Sequence, residues 1–297
     1  GRIEATIQSG YVFNEKVGMK INAHASTVLR ENDMNKDGFL DIPRYQQYNV
    51  LNRWRFLGKR LEGQIVFHGI YDDKIGGQVG FRPNEGIALN GPYGIRVTNR
   101  LANLHTKTGY IVPHTKDMSV ALITNWRHHD QLSYFGLKTY DGVQRSMNSS
   151  LIVLKGWNED KHILKAGLSF NYDNFDQAYN DSAFAREELI PGAYAEYTFK
   201  IDMKFSAVAG FRADYNSYFG WFYTPRLHLK YNPTEHTVLR LTGGRGYRAS
   251  NIFAESSSLL ASSWQVNVLE DLNAEVSWNY GVSASHQFKV LGRNASV

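Results

Sequence analysis

VGMKINAHASTVL, residues 17 to 29, alternates apolar and polar side chains along its length. Val17, Met19, Ile21, Ala23, Ala25, Thr27 and Leu29 form one row, and Gly18, Lys20, Asn22, His24 and Ser26 form the other. Successive side chains of a strand point to opposite faces, so the stretch predicts one strand with a greasy side and a wet side. Soluble strands commonly run to about 5 or 6 residues. A tilted strand crossing a bilayer needs about 9 to 11, so repeated alternation of this length is the mark of a transmembrane β-barrel.

The pattern repeats along the chain. Leu164, Ala166, Leu168, Phe170 and Tyr172 are separated by Lys165, Gly167, Ser169 and Asn171. Ala193, Ala195, Tyr197, Phe199 and Ile201 make another apolar row, and Phe205, Ala207, Ala209, Phe211, Ala213 and Tyr215 a third. Val276, Trp278, Tyr280, Val282 and Ala284 make a fourth. A soluble antiparallel sandwich also alternates, but with shorter strands and more Val, Ile and Leu on its core side. The fold predicted is therefore all-β, an antiparallel up-and-down transmembrane barrel.

Composition agrees with this. The 297 residues are 42% hydrophobic and 21% charged, enough to exclude disorder. No run approaches the roughly 18 apolar residues of a membrane helix, so a membrane-spanning reading requires a barrel. Eighteen Tyr, sixteen Phe and six Trp supply aromatic belts for two interfaces. A net charge of +5, with Lys and Arg interspersed among acids, gives no nucleic-acid footprint. The absence of cysteine fits an envelope protein that does not depend on disulfides.

Breaks in alternation place strands near 3–12, 17–30, 46–56, 61–71, 95–112, 118–130, 145–156, 162–172, 191–201, 204–215, 222–231, 236–246, 273–288 and from 294 onward. Short connections fall at 14–15, 58–59, 114–117, 158–160, 202–203, 232–235 and 292–293. Long ones fall at 31–45, 72–94, 131–144, 173–190, 216–221 and 247–272. Strict alternation of short and long gives one rim of tight turns and one of extended loops, as in outer-membrane barrels. The cluster Tyr215, Tyr218, Phe219, Trp221, Phe222 and Tyr223 is expected to form the belt at the long-loop rim, with Trp157 and Tyr231 at the other.

Several segments then become specific. PGAYAEYTFK (191–200), GFRADYN (210–216), TPRLHLKYNP (224–233), LRLTGGRGYRASNIFAE (239–255) and NAEVSWNYG (273–281) follow one another in an order that closely resembles the barrel half of TonB-dependent outer-membrane receptors, particularly those of Bacteroidetes-like bacteria. DMNKDGFLDIPRYQQYNVLNRW (33–54) and KTGYI (107–111) also look like that family. The resemblance implies a larger barrel of about 22 strands, within the range known for such barrels. It also implies a lumen-filling plug, a TonB partner reached through an N-terminal region, and a small-molecule ligand at the extracellular loops. Residues 1–297 are expected to be a segment of one such barrel domain, lying in outer-membrane lipid, with neither plug nor TonB box in it. The function implied is TonB-energised, non-enzymatic uptake of a scarce ligand: siderophore iron, cobalamin, haem, a metal chelate or an oligosaccharide. A passive channel of fourteen strands and a soluble calcium-binding sandwich or adhesin remain the alternatives.

The sharpest chemical motif is DMNKDGFLD. Asp33, Asn35 and Asp37 supply oxygens at positions 1, 3 and 5 of a calcium loop, Gly38 stands at 6, Phe39 offers a carbonyl at 7 and Asp41 a carboxylate at 9. Position 12 is Arg44 in place of the bidentate acid, so Ca²⁺ binding of low affinity is weighed against a solvated acidic turn. Gly244, Gly246 and Ala249 match G-x-G-x-x-A, but no βαβ unit surrounds them, and a strand and its rim are expected, with Arg248 and Glu255 in loop packing. His128 and His129 point to opposite faces if they lie on a strand, and a solvated loop start is expected there. The acid pairs Asp72–Asp73, Glu159–Asp160 and Glu187–Glu188 are placed in turns or loops. Lys20, Lys165, Arg212, Lys230 and Arg240 fall on the polar side, as part of a lumen wall.

Overall fold

The computed structural model describes residues 1–83, 91–115, 117–255, 257–264, 267, 269–270, 272–290 and 292–297. They form one antiparallel sheet of 15 strands, nearly all paired with their sequence neighbours. The first group is β1 (Arg2–Asn14), β2 (Val17–Val28), β3 (Arg44–Leu57), β4 (Leu61–Gly77) and β5 (Gly94–Ile111). The tallest hairpins follow: β6 (Met118–Phe135), β7 (Lys138–Trp157), β8 (His162–Tyr179) and β9 (Ser182–Ile201). The rest are β10 (Phe205–Asn216), β11 (Gly220–Tyr223), β12 (Arg226–Thr234), β13 (Thr237–Arg248), β14 (Glu275–Val290) and β15 (Arg293–Ser296). Two single-turn helices, α1 (Ile252–Glu255) and α2 (Ser257–Leu260), lie between β13 and β14. No described helix is long and apolar enough to cross a membrane. Among the described residues β1 pairs with β2 alone, so the ladder does not close on itself as a complete fourteen-strand channel would.

From β5 to β10 the register carries the outward rows from strand to strand without a slip. Thr108, Leu122, Leu151, Leu168, Ala193 and Ala213 are successive partners across six strands. Because a one-residue shift would turn every side chain to the other face, this continuity fixes one lipid-facing surface. It is edged by aromatic side chains. At the short-turn rim Trp157 stacks on His162 at 5.6 Å and meets Tyr197 at 6.2 Å. At the other rim Tyr48 meets Tyr71, Tyr215 meets Trp221, and Trp278 stacks on Tyr280. From His162 to Tyr172 β8 advances about 33 Å, or about 23 Å along the membrane normal at a tilt of about 45°, close to the apolar band of about 25 Å in outer-membrane barrels.

The expected strands are present, but the long-loop rim differs from expectation. Residues 131–144 and 173–190 are sheet, closed by two-residue tips at Gly136–Leu137 and Asn180–Asp181. Gly136 has φ 63° and Asn180 φ 50°, the left-handed geometry that lets two-residue tips follow strand twist. The 72–94 connection is strand as far as Gly77, and its residues 84–90 lie outside the described residues. So do 116 of the 114–117 turn, 256, 265, 266, 268 and 271 of the 247–272 connection, and 291 beside the 292–293 turn. The expected strand at 222–231 is split between β11 and β12 at Thr224–Pro225, since Pro225 has no N–H to continue the ladder. Asp72, Asp73, Glu187 and Glu188 consequently lie in β4 and β9, and His128 and His129 inside β6, none of them in loops. Glu159 and Asp160 are in a turn, as expected.

Candidate functional site

Beyond the upper aromatic rim, β6 to β9 continue as a wall wet on both faces. On its lumenal face stand His129, Gln131, Tyr140, Gln144, Phe175, Gln177, Phe184 and Arg186, in register across the four strands. The segment after β13 turns back onto this wall as a strap. Phe253 of α1 lies 5.4 Å from the Tyr140 ring, 5.7 Å from Tyr179 and 5.0 Å from Phe184. With Leu260 these rings form the apolar core cluster, and Leu260 is 2% exposed. Arg186 donates to the Ser250 carbonyl at 2.9 Å. Lys138 Nζ caps the carbonyls of Ser262 and Trp264, and Tyr93 donates to that of Ala261 at 3.2 Å.

Two cavities flank Phe253. One of about 400 Å³ lies among Phe175, Phe184, Arg186, Tyr218, Phe219 and the strap. The other, about 390 Å³, lies among His129, Gln131, Tyr140, Gln144 and Leu260. The Arg186 guanidinium sits 5.2 Å over the Phe175 ring and is held by Glu188 at 2.8 Å, so it is fixed flat rather than free to sweep. His129 Nε2 donates to Asn99 Oδ1 at 3.2 Å. Burial, helped by Arg127, pushes its imidazole below the ordinary range, and burial raises the Tyr140 hydroxyl, so both face the cavity neutral at pH 7. The site offers stacking surfaces, amide donors and acceptors, and one oriented cation. That set can hold a planar or ring-bearing ligand; it supplies no nucleophile activated by a base.

The acidic loop lies elsewhere, on the rim between β2 and β3. The Asp33 carboxylate accepts from the amides of Asp37 and Gly38, Asp37 from that of Phe39 at 2.8 Å, and Asp41 from that of Met34 at 2.7 Å. Asn35 Nδ2 donates to Asp37 at 3.0 Å. Gly38 has φ +84°, which a side chain would strain. The loop is docked on the next one by bonds from Leu40 to Gly77 and from Val79 to Gly38. Glu31 at its base binds Arg82 and the Gly80 amide. Among the described residues no three His, Cys, Asp or Glu side chains form a group poised to hold a metal.

The other sequence-predicted residues fall as follows. Gly244 and Gly246 belong to β13, and Arg248 ties Glu255 to Glu275. His128 and His129 do take opposite faces. Of the expected belt, Phe222 is buried and stacks on Tyr247 at 3.8 Å, and Tyr218 and Phe219 line the cavity beside Phe253. Arg212 is on the lumenal side but is neutralised by Asp214 at 2.6 Å. Sequence reasoning did not find Phe253, Tyr140 or Phe175. The available signals were the tip residues Gly136 and Asn180, which would have exposed the tall hairpins.

A family model described as TonB dependent receptor-like, beta-barrel matches residues 18–297. No curated protein matches the chain. Among solved structures, the siderophore receptor PirA from Pseudomonas aeruginosa superposes with TM-score 0.70 at 11% identity, over 99% of this chain and 51% of that one. A G324V mutant of the ferric enterobactin receptor PfeA from the same organism gives 0.69 at 10%, over 99% and 49%. The alcaligin outer-membrane receptor FauA from Bordetella pertussis gives 0.68 at 12%, over 99% and 50%. The chain thus spans about half the length of the structures it matches.

Proposed function

Because the chain belongs to the TonB-dependent receptor-like β-barrel family, we propose that it is part of the wall of an outer-membrane importer. In this reading a scarce ligand is caught at the strap-covered vestibule and released into the lumen when TonB delivers energy. The observation that carries the reading is the strap itself, a chain segment held by Phe253 across a cavity-bearing wall that opens onto a polar lumen. The names of the matched proteins, siderophore receptors among them, support a ligand of the siderophore-iron kind, with cobalamin, haem, other metal chelates and oligosaccharides as the remaining cargoes. Ligand handling is by binding and release, with no chemical step.

The test is uptake. A strain relying on this receptor should accumulate its ligand only when TonB is functional, and a Phe175→Ala, Arg186→Gln double variant should bind it at least tenfold more weakly. Uptake that persists without TonB would support the passive channel instead. We also propose weak Ca²⁺ uptake by the loop of Asp33, Asn35, Asp37, Phe39 and Asp41. Its support is that Asp33, Asn35 and Asp37 already turn their oxygens toward the same short stretch of backbone.

A further inference from the structure

The vestibule offers a ligand acceptors and ring faces but no charge to hold an anion. Among the described residues, the lining of the cavity of about 390 Å³ contains no Asp, Glu, Lys or Arg. Its polar groups are Gln131, Gln144, Gln177, Asn251, His129 and the Tyr140 hydroxyl. The donors are already in use. Gln144 Nε2 donates to Asp173 at 3.1 Å, Gln177 Nε2 to Asn251 at 3.5 Å, Gln131 Nε2 to Ser133 at 3.4 Å and His129 Nε2 to Asn99 at 3.2 Å. What these glutamines and His129 have left to offer a ligand is the Oε1 atoms and the Nδ1 lone pair of a neutral imidazole, all of them acceptors. In the neighbouring cavity of about 400 Å³ the Arg186 charge is matched by Glu188, and Glu270 adds a carboxylate. The Lys138 ammonium is bonded to the strap carbonyls of Ser262 and Trp264 and lines neither cavity. Below the vestibule the wall has no net charge: His105, Asn125, Asn148 and Asn171 are successive lumenal partners, and in the row above them Arg127 and Asp173, one of each sign, flank Ser146.

A carboxylate, catecholate or phosphate brought into this set would meet oxygen lone pairs in place of donors, leaving its charge unpaired away from water at a cost of several kcal/mol. A cation fares no better, since burial and Arg127 already hold His129 in its neutral form. A hydroxyl is the matched group: it donates to a glutamine oxygen and, being uncharged, loses little on leaving water once that bond is made. The rings set the rest. Phe175 and Phe253 line both cavities, so two cyclic units can lie one on each side of the Phe253 ring, apolar faces against aromatics and hydroxyls against amides. Both volumes lie in the range of about 300–1,000 Å³ usual for small-molecule sites. We infer that the vestibule binds an uncharged, hydroxyl-rich ligand of at least two linked rings, the chemistry of a neutral oligosaccharide, and rejects anionic chelates. This rests on the receptor reading and narrows its cargo to one of the classes that reading leaves open.

The experiment puts the full-length receptor, purified in detergent, on an array of neutral oligosaccharides and their uronate or sulfated counterparts, with ferric enterobactin, haemin and cyanocobalamin measured alongside by fluorescence titration. At least one neutral oligosaccharide should be retained at least tenfold more tightly than its anionic counterpart, and none of the three chelates should bind within tenfold of it. The retained sugar then probes the site. Gln131→Leu, Gln177→Leu combined should weaken it at least tenfold, whereas Gln131→Glu, which keeps the acceptor, should stay within about threefold of wild type. Heat-modified gel mobility reports whether each barrel has folded, and the wild-type selectivity needs no variant. An array that retains no neutral oligosaccharide overturns the inference. So does equal or tighter binding of an anionic counterpart or of any of the chelates, and so does sugar binding untouched by the Leu pair, since the sugar then sits elsewhere. TonB-dependence of uptake is scored separately: TonB-driven uptake of an anionic chelate would uphold the importer and sink this ligand class, and a sugar bound here but taken up without TonB would do the reverse.

Discussion

The two faces of the same strands obey different rules. The outer face keeps its apolar rows in unbroken register from β2 to β10 and is edged by aromatics at both ends. The lumenal face is divided into exposed cations at the turn end and paired ions, amides and aromatics at the loop end. Lipid asks the same thing of every strand, whereas the lumen meets different occupants at different heights. What can be read from a period of two is therefore the outer face; what distinguishes this protein from another barrel is on the inner one.

The comparison breaks most sharply on β6. Leu122 faces outward and is 46% exposed, level with Leu151 and Leu168, while Asn125 faces the lumen opposite Asn148. Leu122→Arg should cost about 2–4 kcal/mol of folding stability in bilayers, the depth-dependent penalty of a cation near the midplane. Asn125→Arg should cost well under half of that. Urea titration of barrel folding into lipid vesicles compares them, and equal penalties would mean the faces have been assigned wrongly.

Within the lumenal face, the strap is the next test. Phe253→Ala removes the ring that meets Tyr140, Tyr179 and Phe184, at a cost of about 2–3 kcal/mol, below the range for fully enclosed rings because cavities lie on either side. The loss should be local. Proteolysis should cut near residues 250–264 while barrel stability measured by heat-modified mobility stays unchanged. If the whole sheet weakens instead, the strap is part of the fold and does not cover a site.

These regions also mark where the sequence was legible. Rows such as Leu164 to Tyr172 declare their strand because one face meets lipid and the other water. Residues 173–190 read as a loop because both faces of that wall meet water, so Asp173, Asn174, Asp176 and Gln177 break no rule of a strand there yet erase the alternation. The strap was invisible for a different reason: Phe253 is a single ring in a polar stretch, and its partners are 113 and 74 residues away at Tyr140 and Tyr179. Cation positions were legible, as parity placed Lys20, Lys230 and Arg240 correctly. Pairing was not, because whether Arg212 meets Asp214 depends on strand twist and rotamer rather than on parity.

A smaller effect sharpens the contrast between the acidic loop and the sheet that carries it. The bond from Arg82 holds the Glu31 carboxyl below the ordinary carboxylate range against the opposing push of burial, with the Gly80 amide and nearby Arg44 adding smaller help. A carboxyl lowered on folding stabilises above its unfolded pKa, and that contribution is lost as pH falls through the folded one. Amides of Leu40 and Val79, which dock the loop, should therefore lose exchange protection as pH falls below the ordinary glutamate range, and Glu31→Gln should mimic the acid state at pH 7 with a cost of about 0.5 kcal/mol. Unchanged protection in the Gln variant would place the docking in the backbone bonds alone.

The smallest effect concerns calcium. Loops of this donor type outside cells bind with Kd of about 10⁻⁴ to 10⁻³ M, and the missing acid at Arg44 puts this one at the weak end. At 1 mM Ca²⁺ and a Kd of about 1 mM, the stabilisation of the loop is about 0.4 kcal/mol. The readout must therefore be local, such as exchange of the Asp37, Gly38 and Phe39 amides, whose acceptors Asp33 and Asp37 would turn toward the ion. Addition of Ca²⁺ should alter their exchange in wild type, and Asp37→Ala should abolish the response while leaving the Leu40 and Val79 amides protected. Identical traces in the two proteins would leave the loop a self-bonded acidic turn, its carboxylates satisfied by its own backbone.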